Sequence, residues 1–219
     1  MVKDQLEVFY SPIGGAGQIG MNLYLYGYRL SNKETNWIMF DCGIGFADDY
    51  YPGIDIMVPD ISFLNNNKNK LLAIILTHSH EDHYGAVNSI INNKFDVPVY
   101  CTKFTSELLK EKISEDYSEN YLDIKVLKDN ATFNIGEFKC NLINVAHSIP
   151  EPNAINITIA GMNIIHTADW KIDDKPVIDR KTDLEKFKRI GQKRCDVLVC
   201  DSTNIFRKEP SITESKVCL

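Results

Sequence analysis

The sequence predicts an α/β sandwich of mixed β-sheets. Three observations carry that reading. Strand-like runs crowd the first forty residues and recur from residue 123 onward, few helices separate them, and an apolar run at Leu71–Leu76 leads through a helical stretch to another short strand as in a βαβ unit. At about 150 residues per domain, 219 residues make one large domain or one and a half. That is long enough to bury a substantial core.

The elements follow in order. Leu6–Tyr10 and Asn22–Leu30 alternate apolar and polar positions and read as strands, as does Trp37–Phe40, which ends in Asp41-Cys42-Gly43. Ser31–Asn36 is the expected hairpin turn. Asn65–Lys70, four asparagines and two lysines, reads as a loop. Leu71–Leu76 is the expected strand buried on both faces. Tyr84–Asn92 reads as a helix, Pro98–Cys101 as a strand, and Ser106–Glu119 as a charged surface helix. Asp123–Leu127, Thr132–Ile135, Phe138–Val145, Ala154–Ala160 and Asn163–Thr167 read as strands. Thr182–Gly191 is expected to be a helix, with Asp183 near its start and Gly191 as its stop. Asp196–Cys200 reads as one more buried strand.

Composition narrows the class. No apolar run approaches the 18 or so residues of a membrane helix, and the first ten residues lack the apolar stretch of a signal peptide. The expectation is a cytoplasmic protein without a membrane span. A net charge of −6 argues against a generic nucleic-acid coating protein. It leaves room for an enzyme that meets RNA through a local basic patch or through bound cations. The six cysteines, Cys42, Cys101, Cys140, Cys195, Cys200 and Cys218, form no CxxC pair and are expected to be reduced, mostly buried thiols. Lys103, Lys110 and Lys112 are read as a solvated helix face. So are Lys186, Lys188, Arg189, Lys193 and Arg194, with the alternative that they border an RNA path.

Gly15-Ala16-Gly17-Gln18-Ile19-Gly20 matches the dinucleotide-binding pattern G-x-G-x-x-G, and Asp41 follows at about the right distance for a ribose contact. In such a site the glycines open a helix, whose N-terminus holds the pyrophosphate. Here they open Met21–Tyr26, which alternates with period two. The expected structure is a glycine-rich turn between strands.

The chemistry is concentrated in His78-Ser79-His80-Glu81-Asp82-His83. Three of the chain's five histidines fall within six residues, directly after a buried strand. Packed there without a cation they would repel or stay unsatisfied, so the pattern points to metal binding. His78 and His80, two residues apart, point the same way and can share one metal. Asp82 and His83, where the chain turns into the next helix, point to a second. Further ligands are expected at strand ends, His147 and Asp169. The resulting assignment gives His78, His80 and His147 to one metal, Asp82 and His83 to the other, and Asp169 as the bridge. Imidazole and carboxylate donors suit Zn2+, with Mn2+ or Mg2+ as alternatives at the more oxygen-rich second position. His166 is read as a core or supporting histidine. Asp41 is either a turn-forming residue or a carboxylate that holds one of the ligands.

The H-x-H-x-D-H signature with separated His and Asp ligands resembles the metallo-β-lactamase superfamily. Flanking segments narrow the resemblance: Gly14–Asn22, Asp41-Cys42-Gly43, Gly53–Asp60, His147-Ser148-Ile149-Pro150 and Asp201-Ser202-Thr203-Asn204 are similar to the ribonuclease J group of β-CASP nucleases, from about Leu6 to Thr213. The resemblance implies an αββα sandwich, incomplete at the C-terminus. It also implies RNA as substrate, two metals, endonuclease and 5′→3′ exonuclease chemistry, and Asp82 and Asp169 as the carboxylates that hold the metals and steer the nucleophile's proton. Asp41 and Asp201 would support the site, Asp201 by orienting a late histidine. No histidine follows His166, so that ligand and the inserted β-CASP domain are expected to be absent, residues 1–219 being the first part of the lactamase domain. A split gene product, a degraded gene or a shortened expression product are the alternatives. An unpaired sheet edge near Asp196–Cys200 and Asn163–Thr167 would then favour homo-oligomers, or association with the missing part. Two other functions stay open: a small-molecule metallohydrolase acting on thioesters or lactones, and a non-catalytic fragment completed by a partner chain.

Overall fold

A computed structural model describes residues 6–31, 33–47, 50–65, 69–92, 95–116, 122–209 and 211–218. It divides into two compact units, Met1–Leu127 and Lys128–Leu219.

The first unit is built on a six-stranded sheet. β1 (Leu6–Gly14), β2 (Leu23–Leu30) and β3 (Thr35–Phe40) form an antiparallel meander. β6 (Asn69–Ile75), β7 (Val99–Cys101) and β8 (Ile124–Val126) then add in parallel, giving the order β1-β2-β3-β6-β7-β8. A two-stranded ribbon, β4 (Gly45–Phe46) with β5 (Ile56–Met57), branches off after β3. The parallel half reads as continuous apolar sequence because both faces are covered: Ala73, Ile74 and Ile75 are all buried. One core cluster joins Leu25, Trp37 and Met39 of the sheet to Leu109 and Ile113 of helix α3 (Lys103–Asp116).

The second unit carries a five-stranded sheet in the order β13-β12-β11-β10-β9, from β9 (Thr132–Ile135), β10 (Phe138–Asn144), β11 (Asn153–Ile159), β12 (Met162–His166) and β13 (Val197–Val199). All pairs are antiparallel except β12 with β13. Helix α4 (Leu184–Lys193) lays Phe187 and Ile190 over Ile143, Val145 and Ala154, with Trp170 beside Phe187 at 5.5 Å between ring centroids. Asp183 caps it, its carboxylate accepting from Lys186 N at 2.9 Å. A last turn, α5, spans Glu214–Val217.

Several expectations need correction. The first strand runs four residues further, to Gly14, because it pairs with β2 as far as Leu23. The helix expected at Tyr84–Asn92 is two short ones, α1 (Glu81–Tyr84) and α2 (Val87–Asn92). Between them Ala86 N donates to Cys42 O (2.8 Å), a bond to a distant strand end that interrupts the helical ladder. The Asn65–Lys70 loop is partly structure: Asn65 closes a 3-10 turn and Asn69-Lys70 pair with β3, while residues 66–68 lie outside the described set. α3 starts three residues early and is not a surface helix, since it buries Leu109 and Ile113; residues 117–121 lie outside the described set. Lys112 is tied to Glu81 (2.9 Å) rather than solvated, and Lys186 is half-buried, donating to Asn130 Oδ1 and Leu142 O. α4 passes through Gly191 to Lys193, because nothing there requires a left-handed residue. β13 is not a buried strand: at the sheet edge, Leu198 is 59% exposed. Of the neighbouring β12, Ile164 and Ile165 are buried. Among the described residues no helix is long and apolar enough to cross a membrane.

Candidate metal centre

The H-x-H-x-D-H segment leaves the end of β6 and turns into α1, so its histidines sit where the parallel strand stops. The opposing wall is the end of β3. Asp41 is fully buried with a positive φ of 58°, and its carboxylate organises the segment. Oδ1 accepts from Thr77 N (2.8 Å); Oδ2 accepts from Thr77 Oγ1 (2.9 Å) and from His83 Nδ1 (2.8 Å). Thr77 Oγ1 also lies 3.0 Å from His78 Nδ1.

These contacts fix two tautomers by elimination. A carboxylate only accepts, so the Thr77 hydroxyl hydrogen goes to Asp41. Towards His78 the hydroxyl then accepts, and His78 carries its hydrogen on Nδ1. His83 likewise donates from Nδ1 to Asp41. Both rings then carry no hydrogen on Nε2, the form in which a neutral imidazole ligates a cation. His78 Nε2 stands 3.1 Å from His80 Nδ1. Two nitrogens on one tetrahedral zinc at about 2.0–2.1 Å lie about 3.3 Å apart. The donor types and their spacing therefore fit a divalent cation. Asp82 Oδ2 is 3.8 Å from His83 Nε2, and the side chain is a third exposed.

Asn22 completes this half. Tyr24 OH donates to its Oδ1 (2.9 Å), which sets the amide orientation. Its Nδ2 then donates to Asp82 O (3.0 Å) and Oδ2 (3.3 Å) and lies 3.0 Å from His83 Nε2, the lone pair a cation would use. The glycine-rich segment 15–20 is a loop between β1 and β2, as expected, with Gly15, Gly17 and Gly20 all at positive φ. It delivers Asn22, not a nucleotide. Gly43 marks the closest approach: a Cβ there would lie 1.6 Å from Asp82 O.

In the second unit His147 and Asp169 follow β10 and β12. A bridge between Ala146 and Lys171 draws the two segments together, with Lys171 N donating to Ala146 O (3.0 Å). Thr182 Oγ1 accepts from Ala146 N (2.9 Å) and donates to Lys171 O (2.6 Å). His147 Nε2 and Asp169 Oδ2 are 3.5 Å apart, again near the spacing of two ligands on one cation. Ala168, just before Asp169, is held at φ 49°, a conformation non-glycine residues adopt at a cost. His166 ends β12, buried between Ile155 and Val199 on the ladder, in the core position expected. Asp201 N donates to Thr167 Oγ1 (3.0 Å), but its carboxylate accepts from Thr203 N (2.8 Å) and Oγ1 (2.7 Å). It caps the turn after β13.

Sequence reasoning identifies Asp41 and the ligand candidates but misses the roles of Thr77, Asn22 and Tyr24. A hydroxyl directly before a candidate ligand is a usable signal; Asn22 stands out in the sequence only as the end of the glycine-rich motif. The cysteines are free thiols, as expected, but not mostly buried: Cys42, Cys101 and Cys140 are buried, whereas Cys195, Cys200 and Cys218 are exposed. Burial pushes the Cys42 and Cys140 thiols up to about 12.

Comparison with known proteins agrees with this geometry. Residues 36–213 match the model of the Beta-lactamase superfamily domain. Ribonuclease J of Sinorhizobium meliloti is 43% identical over 99% of this chain and 38% of its own length. That of Helicobacter pylori is 32% identical over 99% of the chain and 31% of its own length. The chain thus spans about a third of these relatives. Among solved structures, a protein of unknown function from Enterococcus faecalis V583 aligns with TM-score 0.67 at 19% identity, covering 96% of this chain and 53% of that one. The metallo-beta-lactamase fold protein YhfI from Bacillus subtilis aligns with TM-score 0.52 at 18% identity, covering 77% and 65%. With its mixed sheets, its helices and this match over residues 36–213, the chain belongs to the β-lactamase superfamily domain family and has the metallo-β-lactamase fold.

Proposed function

We propose that the chain is the metal-holding part of a ribonuclease J-like phosphodiesterase that hydrolyses RNA in the cytoplasm. In this reading it is the first part of a lactamase domain whose β-CASP insert and returning strands lie in a longer protein. His78, His80 and His147 would hold one divalent cation and Asp82 and His83 a second, with Asp169 shared. The observation that carries the proposal is the tautomer set by Asp41 and Thr77, which leaves the Nε2 of both His78 and His83 without a hydrogen. The 43% identity to the Sinorhizobium meliloti ribonuclease J supports RNA as substrate.

Two divalent cations, zinc at the first position and zinc, manganese or magnesium at the second, would lower the pKa of water and offset charge on the phosphate oxygens. The chain's own residues do the rest. Asp41 holds the ring of His83 directly and that of His78 through Thr77. Asn22 holds Asp82 through both its backbone and its side chain. As water attacks phosphorus and the P–O bond to the leaving ribose oxygen breaks, the Asp82 or the Asp169 carboxylate would take the proton released, and the leaving oxygen would be protonated from solvent. A second reading, association with another copy or with a partner polypeptide, is favoured by the exposed edge strand β13.

The test has two arms. Elemental analysis of chelator-stripped, reloaded protein should show saturable Zn2+ binding that is lost in His78→Ala and retained in His166→Asn. In a chain extended to the length of its relatives, cleavage of a 5′-labelled RNA should be abolished by chelator and by Asp82→Asn, and largely kept by His166→Asn. Equal losses in Asp82→Asn and His166→Asn would refute the roles assigned. Hydrolysis of thioesters or lactones in place of RNA would move the function to a small-molecule hydrolase.

A further inference from the structure

The face of the five-stranded sheet that carries α4 continues beyond the helix into a cavity of about 340 Å³. Its floor is two adjacent rungs of the ladder. Thr132, Asn141 and Asn156 lie opposite one another across β9, β10 and β11; Lys139, Thr158 and Asn163 do so across β10, β11 and β12. Ile190 and Lys193 of α4 close one side. The size falls at the small end of the roughly 300–1,000 Å³ of ligand sites.

The hydrogen bonds within the floor decide what it offers. Thr158 Oγ1 donates to Asn163 Oδ1 (2.9 Å), which turns the Nδ2 hydrogens of Asn163 away as donors. Asn141 Nδ2 donates to Asn130 O (3.3 Å), Ala131 O (3.2 Å) and Thr132 Oγ1 (2.7 Å). Thr132 therefore accepts there and keeps its own hydroxyl hydrogen to give. Lys139 and Lys193 add two ammonium groups, and among the described residues neither makes an ion pair. Among the described residues no carboxylate lines the cavity. In a chain of net charge −6 this is a local concentration of donors and positive charge with nothing acidic in its lining to neutralise it.

We propose that this cavity binds a phosphoryl group, carried by a ligand of about mononucleotide size. Lys139 and Lys193 would bracket the anion, Asn163 Nδ2 and the Thr132 hydroxyl would donate to its oxygens, and Ile190 would cover the organic body. Phosphate oxygens only accept, and this set is rich in donors and cations, so the chemistry matches. Two acceptors remain, Oδ1 of Asn141 and the buried Oδ1 of Asn156, which has no partner among the described residues; they suit a sugar hydroxyl or a base N–H. None of these residues is among the proposed metal ligands, so the site stands independently of the metal-dependent function.

The test uses the 219-residue protein in excess chelator, which removes any contribution from bound cations. Titration calorimetry is run with inorganic phosphate, with uridine 5′-monophosphate, and with 5′-phosphorylated and 5′-hydroxyl trinucleotides. Saturable binding is expected, with affinity lowered at least tenfold by the double substitution Lys139→Ser/Lys193→Ser and by Asn163→Asp, which places an acceptor where a donor stood. Lys139→Arg/Lys193→Arg should retain it, and thermal melting should confirm that all variants fold. Preference for the monophosphate assigns a nucleotide. Equal binding of phosphate alone assigns the free anion, and equal binding of both trinucleotides an RNA backbone. Binding unchanged in the double Ser variant, or no saturable binding by any probe, overturns the proposal.

Discussion

Gly43→Ala is expected to be among the most damaging single-atom additions in this chain. The added Cβ would lie 1.6 Å from Asp82 O, 2.0 Å from Asp82 C and 2.7 Å from His83 N. All three are backbone atoms, so no rotamer change relieves the clash. One segment must retreat by about 2 Å to reach ordinary contact distance. The bonds that hold the two segments face to face are Cys42 N to His83 O (2.7 Å), Ile44 N to Glu81 O (3.0 Å) and Ala86 N to Cys42 O (2.8 Å). Overpacking costs about 1–3 kcal/mol, and each backbone bond broken adds about 1 kcal/mol. With all three bonds lost the total, about 4–6 kcal/mol, is a large part of the roughly 5–15 kcal/mol of a native domain. At about 2–4 °C per kcal/mol for a chain of this size, the melting temperature should fall by about 10 °C or more. Zn2+ affinity should fall with it, since Asp82 and His83 ride on the displaced segment. Gly191→Ala is the control: a Cβ there meets nothing within 4 Å, and alanine should gain up to about 1 kcal/mol in the helix. A Gly43→Ala protein that melts with the wild type would refute the close approach and the account of how the loop is held.

Thr77→Val keeps the shape but removes the hydroxyl between Asp41 and His78; Zn2+ affinity should drop about 10- to 100-fold and recover in Thr77→Ser, measured by chelator competition. Iodoacetamide at pH 8 should label the exposed Cys195, Cys200 and Cys218 in the folded protein and all six cysteines after denaturation, counted by mass spectrometry. Because the Cys42 and Cys140 thiols are raised from 9.0 to about 12, the folded state holds their protons longer than the unfolded chain does. Their contribution to stability is therefore intact below pH 9 and lost progressively between 9 and about 12, which denaturant titrations across that range would show. Leu198→Lys should cost under about 0.5 kcal/mol, because the side chain is 59% exposed, while suppressing any self-association through β13 in sedimentation velocity.

The metal-competent residues were more legible in the sequence than the edges of the fold. His78, His80, Asp82 and His83 stand out because four polar side chains directly after a run as apolar as Leu71–Leu76 would be costly to hold there without a cation. His147 and Asp169 stand out as the polar, metal-competent residues at later strand ends. The helix at Tyr84–Asn92 failed because its local pattern is helical throughout. What splits it is the bond from Ala86 to Cys42, 44 residues earlier, and no local window holds that information. The exposure of β13 failed for a related reason: Val197-Leu198-Val199 has the composition of a buried strand whether or not a neighbour covers it.

The residues whose roles escape the sequence share a property. Thr77, Asn22 and Tyr24 act on other polar side chains: Thr77 fixes the hydrogen of His78, and Tyr24 orients Asn22, whose amide donates to Asp82. Asp41 shows why that layer must come from far along the chain. Which nitrogen of a neutral histidine offers its lone pair is set by the acceptor that takes the hydrogen of the other. The acceptor must not itself reach the cation, so it has to stand behind the ring. The end of β3, paired in parallel with β6 up to Phe40 and Ile75, lies there by topology. A carboxylate one residue past that pairing, bent by a positive φ, meets His83 directly and His78 through Thr77. The strained backbone at Asp41 is thus the counterpart of the hydrogen-free Nε2 atoms: relaxing it would free the carboxylate and both tautomers together.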